Sequence, residues 1–144
     1  MLLRDGNLVL RAAYEENGQF GPGWYTGSVA IKQRFVRGYF EVRCICSEAY
    51  PKDSFWSAFW LQARHPYEAE YSRGGPGGAE IDIFEAFNEN GQMVASQNIH
   101  CKGVTGSKAG PNQLDSLHVA SIVVPNMCTE YNVYGFEWNE KEYI

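Results

Sequence analysis

Short runs of alternating apolar and polar residues, cut by glycine, proline and asparagine, make up most of this chain. Asp5-Gly6 precedes the alternating positions Leu8, Leu10 and Ala12, and Asn17-Gly18 and Gly21-Pro22-Gly23 then break the pattern. Residues 25–35 alternate less regularly. Phe40, Val42, Cys44 and Cys46 form one apolar face with Glu41 and Arg43 opposite, the period-two signature of a half-buried strand. Further strands are predicted over 56–61, 79–87, 93–101, 117–124 and 131–138. Asn88-Glu89-Asn90-Gly91 ends in the pair that two-residue hairpin turns favour. No helical period of useful length and no internal repeat is present, so the chain reads as all-β, an antiparallel β-sandwich. Residues 140–144 run into what reads as another strand, which predicts a sandwich incomplete at its C-terminus, with open edges.

A length of 144 residues suits one domain with a sizeable core. The net charge of −5 argues against nucleic acid, whose phosphates select a basic face. No stretch approaches the roughly 20 apolar residues of a membrane span. Met1-Leu2-Leu3 is followed at once by Arg4, Asp5 and Gly6, without the apolar core of a signal peptide; the reading is a cytosolic protein or a trimmed piece of a longer one. Cys44, Cys46, Cys101 and Cys128 show neither a C-x-x-C pair nor a companion histidine at zinc spacing. Buried free thiols are the favoured reading, with a disulfide from Cys44 or Cys46 to Cys101 or Cys128 left open.

The chemistry concentrates in Glu80-Ile81-Asp82-Ile83-Phe84-Glu85. In a regular strand Glu80 and Asp82 share a face and Glu85 falls on the other. A β-bulge at Ile83-Phe84 corrects the parity, bringing three carboxylates to one face and leaving Ile81 and one bulge residue on the core side. The backbones of Glu80 and Glu85 then stand about 13 Å apart, and side chains leaning together could flank a sugar. Glycosidic cleavage requires such paired carboxyl groups. Mutual repulsion raises at least one pKa, which keeps a proton available near neutrality. The plain alternative is a solvated acidic strand face. Two features weigh against it: acidic residues fit strands poorly, and bulges concentrate beside active sites.

This run resembles the signature of glycoside hydrolase family 16 in its bulged form. The flanking segments Gly38–Arg43, Phe55–Leu61, Asn98-Ile99-His100 and Tyr131–Trp138 agree in order and spacing, and the similarity extends over about 5–144. The resemblance implies a jelly roll of two curved antiparallel sheets with a glycan cleft on the concave one. It implies Glu80 as the nucleophile, Glu85 as the general acid and base, and Asp82 as the carboxylate that orients and tunes the nucleophile. It implies no cofactor. Relatives often hold a structural calcium through residues near both domain ends; those positions are missing here, so no metal is expected. Family domains are longer, so residues 1–144 read as the N-terminal portion of a single catalytic domain. Such a piece could fold poorly, self-associate through open sheet edges or lack activity alone.

Trp24, Trp56, Trp60 and Trp138 could stack on sugars or pack a core. The resemblance places Trp56 and Trp60 in the cleft wall, Tyr71 where relatives often carry a stacking aromatic, and His100 at the family's cleft histidine. His65 and His118 have no such support. Arg37 and Arg43 read as strand-face salt partners. The expected activity is retaining endo-hydrolysis of a β-linked polysaccharide, β-1,3- or mixed-linkage glucan first. An agarase, porphyranase or carrageenase is the rival within the same chemistry, and a non-catalytic glycan-binding module is the rival outside it. The resemblance implies an extracellular or periplasmic location. Neither nucleic acid nor a membrane is an expected partner.

Overall fold

The computed structural model describes residues 1–48, 56–62, 79–101 and 116–144, with the backbone alone at 79, 101 and 116–119. The chain divides into two compact units, Met1–Val36 and Arg37–Ile144. Every regular element among the described residues is a strand, and every pairing is antiparallel. Among the described residues no helix is long and apolar enough to cross a membrane.

The first unit holds two short hairpins. β1 (Leu2–Arg4) pairs with β2 (Asn7–Val9) across Asp5-Gly6. Both turn residues have positive φ, 51° and 76°, the twist-matched two-residue turn that Asp-Gly favours. β3 (Ala13–Glu15) pairs with β4 (Gly23–Tyr25). Their longer connection is tied down by the Tyr25 hydroxyl, which accepts from Phe20 N (2.7 Å) and donates to Gly21 O (2.9 Å). The predicted alternation continues into no strand over residues 26–37. The polar and glycine positions there break any continuous apolar face.

The second unit holds two sheets. β5 (Gly38–Cys44) pairs with β10 (Asn132–Trp138). The other sheet has the order β6 (Ser57–Gln62), β7 (Ala79–Glu89), β8 (Gln92–Cys101), β9 (Ser116–Val123). Asn90 and Gly91, at φ 52° and 85°, make the β7–β8 turn, and Asn88 Oδ1 accepts from Gly91 N at 2.9 Å. The run 140–144 finds its partner by folding back on β10: Glu137 and Ile144 exchange backbone hydrogen bonds, and Trp138 bridges Tyr143.

The inner faces of the two sheets meet in two apolar clusters. Phe84, Ala86, Ala95, Cys46 and Met127 form one, with Val42, Cys44, Cys128 and Tyr134 at its edge. Ile81, Ile83 and Phe136 form the other, with Phe40, Leu61, Ile99 and Trp138 around them. Burying these faces drives the layers together. Cys44, Cys46 and Cys128 are free thiols, and the side chain of Cys101 lies outside the described residues. Arg37 pairs with Glu140, and Arg43 lies over the Tyr131 ring, 4.1 Å from its centre.

Candidate active site on the bulged strand

β7 carries the predicted irregularity. Asp82 stands opposite Asn98 of β8 and Glu85 opposite Ser96, so Ile83 and Phe84 together face the single residue Gln97. On the other flank Trp60 pairs with Asp82 and Phe59 with Phe84, leaving Ile83 unopposed. Both bulge residues turn inward, whereas the sequence pattern suggested one. The reason is geometric: two successive inward residues restore the outward parity of Glu85. Ile83 drops into one apolar cluster and Phe84 into the other.

The opposite face of the sheet gathers Glu80, Asp82 and Glu85 with polar neighbours from both flanking strands. Glu85 Oε1 accepts from Trp56 Nε1 at 2.7 Å, and Oε2 accepts from Asn98 Nδ2 at 2.8 Å. Asn98 Nδ2 also reaches Ser96 Oγ at 3.3 Å. Glu80 Oε2 accepts from Gln62 Nε2 at 3.0 Å, and Glu80 stands in register with His100. His100 Nε2 lies 3.2 Å from Asp82 Oδ2. This is an electrostatic contact, because Oδ2 has no aligned hydrogen-bond partner among the described residues.

Asp82 is the most enclosed of the three acids, with 5% of its surface exposed. Burial pushes its pKa up from 3.8 to about 6, helped by the charges of Glu85 and then Glu80, while His100 pulls the other way. The expected crowding effect therefore falls on the middle carboxylate. Ligand atoms of Glu80, Asp82 and His100 lie within 4.8 Å of one another, the tightest cluster of this kind among the described residues. The same atoms can exchange a proton, so the cluster does not by itself require an ion.

Trp56 and Trp60 lie on this side of β6, 62% and 46% exposed. The Trp56 ring stacks on Phe87, with centroids 4.9 Å apart. Tyr71 and His65 lie outside the described residues, as does the side chain of His118, although its backbone pairs opposite Asn98. Trp24 sits exposed against the edge of Tyr14 in the first unit, and Trp138 packs with the second apolar cluster. Gln62 and Ser96 join the site without having been singled out from sequence. Asn98 had been noted only as part of the Asn-Ile-His segment.

The second unit is an antiparallel β-sandwich with a row of carboxylates and exposed tryptophans on one sheet face. The profile of Glycosyl hydrolases family 16 matches residues 4–144, and the chain belongs to that family, whose fold is a jelly-roll sandwich. It is 28% identical over 141 residues to a beta-glucanase of Rhodothermus marinus, an alignment covering 95% of this chain and 44% of that protein. The chain thus spans less than half the length of that relative. No solved structure matches it.

Proposed function

We propose that this chain carries the catalytic strand of a retaining endo-glycoside hydrolase acting on a β-linked polysaccharide, with β-1,3- or mixed-linkage glucan as first substrate. One observation carries the reading: the bulge at Ile83-Phe84 brings Glu80, Asp82 and Glu85 to one sheet face. The beta-glucanase relative favours a glucan.

In this reading the Glu80 carboxylate attacks the anomeric carbon while Glu85 protonates the departing glycosidic oxygen, leaving a glycosyl ester on Glu80. Glu85, now a carboxylate, takes a proton from water, whose oxygen displaces Glu80 with net retention. Asp82, straddling its two charge states near pH 6, spares the trio a third full charge while the others exchange roles. His100 holds Asp82 in place and can meet a substrate hydroxyl. Trp56 and Trp60 line the sugar path. Residues 1–144 form the N-terminal portion of one catalytic domain, exported to an extracellular or periplasmic space.

Release of reducing ends from laminarin, lichenan, agarose and carrageenan tests the reading. Turnover is expected on the first two, and turnover on agarose or carrageenan alone would transfer the assignment to galactans. Glu80→Gln is expected to abolish turnover and leave glycan binding largely intact. Unchanged hydrolysis in that variant would remove Glu80 as nucleophile, and glycan binding without turnover by the unaltered chain would mark a binding module.

A further inference from the structure

Glu85 is held at both oxygens. Trp56 Nε1 reaches Oε1 at 2.7 Å from just before β6, and Asn98 Nδ2 reaches Oε2 at 2.8 Å from β8. Both are short bonds from neutral donors to a carboxylate, the stronger class of hydrogen bond. Each donor has its own anchor. Asn98 Nδ2 also donates to Ser96 Oγ at 3.3 Å, and Ser96 is buried in the sheet. The Trp56 ring stacks on Phe87, two residues beyond Glu85 on the same strand.

A stacking platform for sugar needs only the ring face of Trp56. The indole N–H, by contrast, is already committed to the carboxylate. Resting on the assignment of Glu85 as acid and base, we propose that Trp56 and Asn98 form a two-point clamp that fixes the plane of the Glu85 carboxylate, and that Trp56 acts through its N–H as a positioning residue. A carboxyl group free to rotate about its last bond spends much of its time misdirected. One held at both oxygens aims its proton at the leaving oxygen, and later its lone pair at the proton of water, from the same position. Misplacing a reacting group by about 1 Å can cost on the order of 100-fold in rate. Gln62 alone holds Glu80 in an analogous way among the described residues. Among the described residues the two-point clamp falls on the group that must act twice.

Trp56→Phe keeps an aromatic ring for Phe87 and for sugar while removing the N–H. Its expected effect is a fall in kcat of about 10- to 100-fold on polysaccharide with KM nearly unchanged. The fall should be several-fold smaller on an activated aryl glycoside, whose leaving group needs little protonation. Asn98→Ala should act in the same direction. The double variant should lose far less than the product of the two single losses, because both donors serve one carboxylate. A raised KM at constant kcat, or equal losses on both substrates, would overturn the clamp and leave Trp56 a stacking residue. A readout independent of turnover is the indole N–H proton resonance of Trp56, which should move upfield in Glu85→Ala. An unmoved resonance overturns the clamp even if the chain proves inactive. Inactivity together with the expected shift would count against the hydrolase reading alone.

Discussion

At the scale of single residues, Asp82 decides how the site responds to pH. Its carboxyl group titrates near 6 in the folded chain against 3.8 ordinarily, so the folded state binds its proton more tightly than the unfolded state. That favourable proton binding is fully present below pH 3.8 and is lost as pH rises through about 6. Asp82→Asn should therefore stabilise the chain at pH 7 by about 2 kcal/mol, and the two stability curves should converge below pH 4. Urea unfolding at both pH values checks this, and a destabilised variant at pH 7 would contradict it. His100→Ala removes a neighbour that favours the ionised form, so the Asp82 carboxyl resonance should titrate higher in that variant than in the unaltered chain. The acids were legible in sequence because charged residues in a strand stand out against an apolar pattern. Gln62 and Ser96 were not, because a neutral side chain beside a carboxylate leaves no mark on charge or periodicity. The indole of Trp56 was legible as an aromatic surface; nothing in the spacing shows that its N–H reaches Glu85.

At the scale of elements, the bulge makes parity the controlling variable. Deleting Ile83 leaves Ile81 in, Asp82 out, Phe84 in and Glu85 out, an unbroken alternation. That variant should fold, with stability lowered by about 2–4 kcal/mol for the lost buried side chain. Inserting an alanine between Asp82 and Ile83 also gives an even spacing, with the alanine in, Ile83 out, Phe84 in and Glu85 out, so it should keep Glu85 on the open face while turning Ile83 out of its apolar cluster. Soluble yield and thermal unfolding by circular dichroism follow both variants, and failure of either to fold would contradict the parity argument. The β7–β8 hairpin was readable from Asn90-Gly91, whose conformation is dictated locally, whereas the β1–β2 hairpin at Asp5-Gly6 was not read from the alternation that follows it. The inward turn of both Ile83 and Phe84 was not, since it depends on two separate apolar clusters supplied by other strands. The irregular pattern over 25–35 likewise gave no basis for ending β4 at Tyr25.

At the scale of the whole molecule, the sheets of the second unit are joined by side chains distant in sequence. Met127 comes from the connection before β10, yet it is fully buried against Phe84, Ala86 and Ala95. Cys46 N bonds to Met127 O at 3.0 Å, which pins that connection to the end of β5. Met127→Ala should lower stability by about 2–5 kcal/mol, seen as a lower urea midpoint at unchanged slope. The all-β sandwich was readable from alternation and turn residues; which faces oppose one another was not, because sheet-to-sheet contact leaves no periodic signal. In the proposed reading, all of this holds one strand face open to a glycan. The most direct test of that account is covalent trapping: incubation with a 2-deoxy-2-fluoro glucan-oligosaccharide donor, followed by peptide mass spectrometry. The account predicts a glycosyl adduct on Glu80. An adduct on Glu85, or hydrolysis that proceeds with inversion and no trapped ester, would contradict it.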